Sequence, residues 1–412
     1  MNKGVNIPKG WREAKLGEVS CNISYGMNAK AINYDKKNKY IRITDIDESS
    51  RKFIPNPLYS PDGDIEDKYK LKEGDILFTR TGASVGKTYL YDKRDGNVYF
   101  AGFLIRFSIQ HQCPKFIYFQ TLTVFYQNWV KSVSSRSGQP GINAEEYKQL
   151  PILLPPLKEQ KAIADILEKW DEAIEKTSKL IEAKKKRFEW LLKNLISKPL
   201  NLKNWQKIKL GDLGDISSAG VDKKIIDGEE EVFLLNYLDV YRRDKIYANE
   251  LSHKVTAPKI KLEKCSIKKG DIFFTPSSEV RGDIGLSAVA MEDIERAVYS
   301  YHIIRLRPKI EIDLLYSAYA FKGQDFYKQA AMYADGSGQR YVISQNNFRK
   351  IEIFLPPLLQ QKQIAKTLNT AKKEITILEE ILANYKNQKK GLMQKLLTGK
   401  CRLNLGKEAT NV

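Results

Sequence analysis

Cysteine and histidine are scarce in this sequence. Four cysteines (Cys21, Cys113, Cys265 and Cys401) and three histidines (His111, His253 and His302) are scattered over 412 residues. None of them falls into a C-x-x-C or H-x-x-x-H spacing, so neither a structural zinc nor a disulfide framework is expected. No metal or cofactor is called for, and isolated thiols suit a reducing cytoplasm. Long apolar runs are missing as well: nothing approaches the roughly 18 residues that cross a bilayer. Met1 to Trp11 has no apolar stretch behind a basic start, so a soluble, unsecreted chain without a membrane partner is expected. Acid is short relative to base. With 69 Lys+Arg against 50 Asp+Glu the formal charge is +19, which favours polyanions, nucleic acid first, through phosphate neutralisation and counterion release. The plainer reading is charge that serves solubility. At 42% hydrophobic residues the chain is too apolar to be disordered and long enough for two or three domains.

What the sequence does have is a repeat. The segment Trp11-Arg12-Glu13-Ala14-Lys15-Leu16-Gly17-Glu18 returns as Trp205-Gln206-Lys207-Ile208-Lys209-Leu210-Gly211-Asp212. Glu73-Gly74-Asp75-Ile76-Leu77-Phe78-Thr79 returns as Lys269-Gly270-Asp271-Ile272-Phe273-Phe274-Thr275, and Phe103-Leu104-Ile105-Arg106-Phe107 as His302-Ile303-Ile304-Arg305-Leu306. Ser137-Gly138-Gln139 matches Ser337-Gly338-Gln339, and Leu154-Pro155-Pro156-Leu157 matches Leu355-Pro356-Pro357-Leu358. The offset drifts only from 194 to 201 residues, so one architecture is used twice.

The first part of each unit carries short β-branched and aromatic runs broken by Gly, Asp, Asn and Pro, as at Ile41 to Ile46, Asp75 to Thr79 and Val98 to Ile109. That pattern predicts a β-rich α/β globule. After Pro156 and again after Pro357 the chain changes character. Proline is absent until Pro199 in the first copy and absent altogether after Pro357 in the second. Two long helices are expected, each with Pro near its first turn. One ends before Lys198-Pro199, the other at Gly399. The boundaries read 1–154, 155–198, 199–355 and 356–400, with a tail over 401–412.

Each helix carries an apolar stripe that alternates four and three. It runs Ile163, Leu167, Trp170, Ile174, Thr177, Ile181, Lys184, Phe188, Leu191, Leu195 in the first, and Ile364, Leu368, Ala371, Ile375, Leu378, Leu382, Tyr385, Lys389, Leu392, Leu396 in the second. A sustained 3.5-residue period is what a coiled-coil partner needs, with Thr177, Lys184 and Lys389 setting register. Antiparallel pairing gives the two copies equivalent environments about a pseudo-two-fold axis. About 40 residues at 1.5 Å each make a rod of roughly 60 Å that would separate two globules. The plainer reading has each helix packed on its own globule.

Motifs that carry chemistry are few. Gly82-Ala83-Ser84-Val85-Gly86-Lys87-Thr88 approaches a phosphate loop but is one residue short between its glycines, and the second copy has Ser277-Ser278-Glu279-Val280-Arg281-Gly282-Asp283 there. A nucleotide-binding enzyme built on Gly82 to Thr88 is one alternative. Another is a turn offering backbone N–H groups and a cation to phosphate or bases, and the plainest is a tight turn with a solvated lysine. Asn56-Pro57-Leu58-Tyr59 comes near an amino-methyltransferase motif but lacks its second proline and a glycine-rich cofactor loop. No histidine stands beside a plausible nucleophile, so triad chemistry has no support, and no catalytic residue is assigned.

Arg, Gln and Asn can bond two atoms of a base edge, whereas Lys more often positions on phosphate. Base-reading candidates in the first unit are Arg42, Thr44, Asp45, Arg80, Gly82, Ser84, Lys87, Arg136, Ser137 and Gln139. In the second they are Lys223, Lys224, Asn236, Tyr237, Ser277, Ser278, Arg281, Gln339, Arg340 and Tyr341. The run Lys184-Lys185-Lys186-Arg187 reads as a solvated helix face or a contact to a DNA backbone.

Two divergent globules alternating with two similar helices, each entered through Leu-Pro-Pro-Leu, resemble the specificity subunit of type I restriction-modification systems over the whole chain. The sharpest parts are Leu154-Pro155-Pro156-Leu157-Lys158-Glu159-Gln160 with Ile163-Ala164, the Trp-x4-Leu-Gly starts at Trp11 and Trp205, and Gly74-Asp75-Ile76-Leu77. The second copy departs from it with Leu359-Gln360-Gln361 and keeps Ile364-Ala365. The resemblance implies that 1–154 and 199–355 are target recognition domains, each reading half of a bipartite site in double-stranded DNA. It implies helices that act as spacers and dock two modification (methyltransferase) subunits, which supply adenine methylation. A restriction subunit would supply translocation and cleavage, leaving this chain non-catalytic. A coiled-coil adaptor whose globules bind protein is the remaining alternative.

Overall fold

The computed structural model describes residues 7–135, 139–197 and 204–403. Arg136, Ser137, the Lys198-Pro199 step and most of the 401–412 tail lie outside them. The chain divides into two compact units that do not follow chain order. One takes the residues up to Thr177 together with those from Ile381 onward, and the other takes Ser178–Glu380. Each long helix therefore gives one end to each unit.

In the first unit Arg12–Lys15 pairs antiparallel with Pro151–Leu154, so the start of the globule is stitched to the strand that leads into the helix. Its main sheet is antiparallel, in the order Ser20–Tyr25, Leu104–Ile109, Asp75–Thr79, Thr88–Leu90. Asp75 to Thr79 is buried throughout, which explains why that strand reads as a continuous apolar run rather than an alternation. Behind it Lys39–Ile41 runs parallel to Val98–Phe100. The second unit repeats the scheme: Gln206–Lys209 pairs with Glu352–Leu355. Its main sheet orders Gly214–Ser217, Ile304–Pro308, Ile272–Phe274, Ser287–Ala290 and Lys245–Ile246, and behind it Glu230–Leu235 runs parallel to Ile294–Tyr299. The β-rich α/β reading holds in both.

The long helices span Leu157–Leu192, closing in a widened turn over Lys193–Ser197, and Leu358–Leu396. All twenty stripe positions are buried or half-buried. In the first unit Glu159 pairs with Arg402 at 2.7 Å, Trp170 meets Tyr385 edge-on with ring centroids 5.6 Å apart, and Lys389 pairs with Asp171. In the second, Lys185 pairs with Glu379 at 2.7 Å and Lys184 with Glu374. From Glu159–Arg402 to Trp170–Tyr385 in the first unit, and from Lys184–Glu374 to Phe188–Lys372 (5.7 Å from ring centre to ammonium) in the second, rising numbers on one helix meet falling numbers on the other, so the ends pair antiparallel in each unit. The polar stripe residues Lys184 and Lys389 find carboxylates across the seam, as a register device requires. Two residues of the basic run, Lys184 and Lys185, thus serve helix pairing.

Each unit's core is finished by helix ends. Ile163, Ala164, Leu167, Met393, Leu396 and Leu397 pack with Trp11 and Phe116, and Leu191, Ile196, Ala365 and Leu368 with Leu210 and Phe348. The helix is fastened to the globule by a glutamine. Gln160, fully buried, donates to the Pro155 carbonyl at 2.8 Å and accepts from the Cys113 N–H at 3.0 Å. Gln361 donates to the Pro356 carbonyl at 2.9 Å and accepts from the Asp313 N–H at 2.8 Å. Cys113 and Asp313 cap the helices Pro114–Gln120 and Leu314–Ala320. The Leu-Pro-Pro-Leu-x-x-Gln pattern is therefore a joint, in which one amide satisfies an entering carbonyl and a neighbouring helix cap.

Candidate nucleic-acid interface

One end of the main sheet in the first unit gathers side chains that three separate sequence segments supply. Tyr25 ends one strand, Phe103 precedes the next, and Arg80 follows the central one; the Arg80 N–H donates to the Phe103 carbonyl at 3.1 Å. Gly26 lets these strands close: a Cβ there would lie 2.3 Å from the Ala101 carbonyl oxygen. The Arg80 guanidinium sits 5.1 Å from the centre of the Tyr25 ring and 5.8 Å from that of Phe103. Tyr25 is pinned in turn, its hydroxyl accepting from the Ala144 N–H at 3.1 Å. Phe103 is 56% exposed.

The glycine turn packs against this end. Gly82 has a left-handed φ of +77° and its N–H donates to the Pro140 carbonyl at 3.0 Å, while Thr81 bridges Gly141. Gln139 Nε2 lies 3.2 Å from where a Cβ on Gly82 would be. Arg80, Gly82 and Gln139 are thus brought together, with half-buried Ser84 on the same turn.

Other expectations for this region are corrected. Lys87 does not project from the turn: it is 7% exposed, donates to the Ile46 carbonyl at 3.1 Å and pairs with Glu48 at 2.7 Å. The N–H groups of Gly82, Val85, Gly86 and Lys87 all donate to carbonyls of the protein. The turn therefore presents no lysine and few free amides to a phosphate, and a nucleotide site built on Gly82 to Thr88 loses its basis. Arg42 and Asp45 satisfy each other through two hydrogen bonds of 2.9 and 2.8 Å, Asp45 being buried and Arg42 lying over Tyr59. Of that trio only Thr44 is exposed.

The second unit builds the corresponding sheet end differently. Gly220 allows the same close approach as Gly26, a Cβ there lying 2.3 Å from the Ser300 carbonyl carbon. Pro276 follows the central strand where Arg80 does in the first copy, and His302 takes the place of Phe103. The cation comes instead from a ribbon of Ser277–Ser278, Asp335–Ser337 and Arg340–Val342. Arg340 donates to Ser277 Oγ at 3.2 Å and the Tyr237 hydroxyl to the Ser277 carbonyl at 2.7 Å. Tyr237 stacks on Tyr241, with centroids 6.0 Å apart. Burial, with a smaller effect from the cations Arg340 and Lys223, holds the His302 imidazole below its ordinary pKa. Gln339, Lys223 and Lys224 are exposed, Lys224 facing Asp222 at 3.7 Å.

Three candidates here are occupied by the protein itself. Arg281 donates to the Ala331 and Ala334 carbonyls at 2.9 Å and covers Tyr341 at 5.6 Å. Asn236 is half-buried, and its side-chain amide donates to the Leu234 carbonyl at 3.4 Å. Ser278 Oγ accepts from the Val280 N–H at 3.1 Å.

Tyr25, Phe103 and His302 were not among the sequence candidates. Phe103 and His302 stand in a matched repeat segment, just ahead of the strands Leu104–Ile109 and Ile304–Pro308, and that was the available signal. Among the described residues no group of three or more His, Cys, Asp or Glu side chains is arranged to hold a metal ion, and no helix is long and apolar enough to cross a membrane.

Comparison with known proteins agrees with this duplicated plan. A family model described as a type I restriction modification DNA specificity domain matches residues 8–185 and again 202–386. The putative type I restriction enzyme MjaX specificity subunit of Methanocaldococcus jannaschii is 28% identical, over 96% of this chain and 95% of that one. The type I restriction enzyme StySPI specificity subunit of Salmonella potsdam is 26% identical over 96% and 89%. Among solved structures, the type I restriction-modification S subunit from M. genitalium has a TM-score of 0.58 at 16% identity, covering 96% of this chain and 98% of that one. A chain from a structure of type I R-M system assembly and conformational transition reaches 0.60 at 16%, covering 96% and 100%. At such identity the solved structures speak for the fold alone. With both halves matched by the family model and long relatives aligned end to end, the chain belongs to the type I restriction-modification specificity subunits, non-catalytic chains that confer DNA sequence specificity.

Proposed function

We propose that each unit reads one half of a bipartite target in double-stranded DNA, using the sheet end that carries Tyr25, Arg80, Phe103 and Gln139 in one copy and Tyr237, His302, Gln339 and Arg340 in the other. Residues 1–154 and 199–355 act as the two target recognition domains, and the helices between them set the spacing of the half-sites. The observation that carries this reading is the placement of a cation, aromatic rings and a glutamine at the same end of the same sheet in both repeats, with different side chains in each. Equal placement suits two copies docking alike; unequal chemistry suits two different base sequences. The net charge of +19 supplies the sequence-independent attraction, so binding by the chain alone should weaken steeply with salt.

The outer helix faces dock two modification subunits, which methylate adenine, and a restriction subunit joins them for translocation and cleavage. Leu180 and Trp190, 44% and 59% exposed on the first helix, are the apolar anchors such a surface would use. Methylome sequencing of a host carrying the modification subunit, with and without this chain, tests the reading. A two-part adenine-methylated motif that appears only with the chain is expected. Methylation independent of the chain would overturn it.

A further inference from the structure

We infer that Arg80 is a base-reading residue of the first unit, that it recognises a guanine through the major groove, and that the second unit has no counterpart at that position. This rests on the proposed recognition function and narrows it to one side chain and one base.

Arginines in this protein mostly spend their donors internally: Arg42 on Asp45, Arg281 on two carbonyls, Arg402 on Glu159. Arg80 is half-buried, yet among the described residues its guanidinium makes no hydrogen bond and no ion pair. Among the described residues its partners are two rings. Ring contacts engage the positive charge and consume none of the five N–H donors. A flexible surface arginine pays rotamer entropy whenever it binds. This one is already held, between a tyrosine pinned by a backbone amide and a phenylalanine whose own carbonyl bonds the arginine's N–H.

A planar fork kept unpaired in a fixed direction matches the O6 and N7 acceptors of guanine, which lie side by side in the major groove. A phosphate contact needs neither the fixed direction nor the rings. In the other repeat Pro276 occupies the equivalent position and removes the donor altogether, so the two half-sites differ at the base read from there.

The test uses the full chain with its modification subunit. Methylomes are compared for the wild type, Arg80→Lys and Arg80→Ala, with thermal melts to establish folding. Arg80→Lys keeps the charge and loses the fork. The expected result is relaxation of a single guanine position in one half-site, about 5- to 150-fold in discrimination, with the other half-site unchanged. A readout that needs no variant is binding of the wild-type complex to a duplex with 7-deazaguanine, which lacks N7, at that position. Binding should fall roughly tenfold or more, and Arg80→Ala should be indifferent to the change.

Retention of the wild-type motif at full strictness by both variants would overturn the inference and leave the proposed function standing. So would uniform weakening on all targets with a salt slope reduced by about one, the mark of a phosphate contact. Absence of any chain-dependent motif in the wild type would overturn both.

Discussion

The two units keep the same joint and surround it differently. Gln160 and Gln361 hold equivalent carbonyls and equivalent helix caps. The residue before each differs: Glu159 pairs with Arg402, whose guanidinium also lies 5.7 Å from the Trp11 ring, whereas Gln360 accepts from the Trp205 indole N–H at 2.9 Å. Trp11 is buried at 7% exposure and Trp205 only half-buried. The contacts from globule to helix also reverse polarity. Lys52 on the first globule meets Glu175 on the helix, while Asp244 on the second meets Lys372. Groups that satisfy backbone are repeated because the backbone needs them in both places. Charges that only complement one another are free to exchange sides. The sheet ends, which the fold does not need to satisfy, have diverged furthest.

The strongest test of equivalence is to make one unit serve as both. A fragment ending near Ser197 loses Met393, Leu396 and Leu397 from its core. A second fragment supplies Leu192, Leu195 and Ile196 at the repeat-related positions, so a closed isologous dimer is expected. Sedimentation should show a dimer at micromolar concentration, and with a modification subunit the dimer should methylate an inverted repeat of the first half-site. A monomer, or methylation of a site that is not an inverted repeat, would show that the helices are not interchangeable.

Leu167 and Leu368 are repeat partners with no exposure. Leu167→Ala and Leu368→Ala should each cost about 2–5 kcal/mol, read from denaturant melts. A large difference between them would mean that one unit relaxes around the cavity and the other does not.

Gln160→Ala and Gln361→Ala each strand a buried carbonyl and a helix-cap N–H, at roughly 1–3 kcal/mol. Equal losses would sharpen the claim of a shared joint. Gln→Glu at either position should be worse than neutral, because a carboxylate cannot donate to the proline carbonyl.

The smallest effect is expected at Asp244. Burial raises its pKa, but Lys322 at 2.6 Å and Lys372 at 3.6 Å outweigh it and hold the carboxyl below its ordinary value. A depressed folded pKa contributes stability that is present above the unfolded value of about 3.9 and lost as pH falls through the folded one. Asp244→Asn should therefore lower stability at pH 7 by about 1 kcal/mol, with the gap closing below about pH 4. A gap that persists at low pH would assign the loss to packing.

Much of this was legible before any coordinates. The repeat, the β-rich globules, the two long helices and the alternating stripe follow from residue order, since periodicity and proline placement act locally. Lys87 was misread because a Gly-Lys-Thr run says nothing of where Ile46 and Glu48 will be. Arg42 and Asp45 look like readers in sequence and are each other's partner in space.

By itself the sequence determined that one architecture occurs twice and that its helices carry a seam, because these depend on spacing along a single segment. Only the tertiary structure decided which polar side chains are spent and which are free. Hydrogen-bond satisfaction is a matter of which groups from distant segments meet, and Arg80 is held by Tyr25 and Phe103, 55 and 23 residues away in the chain.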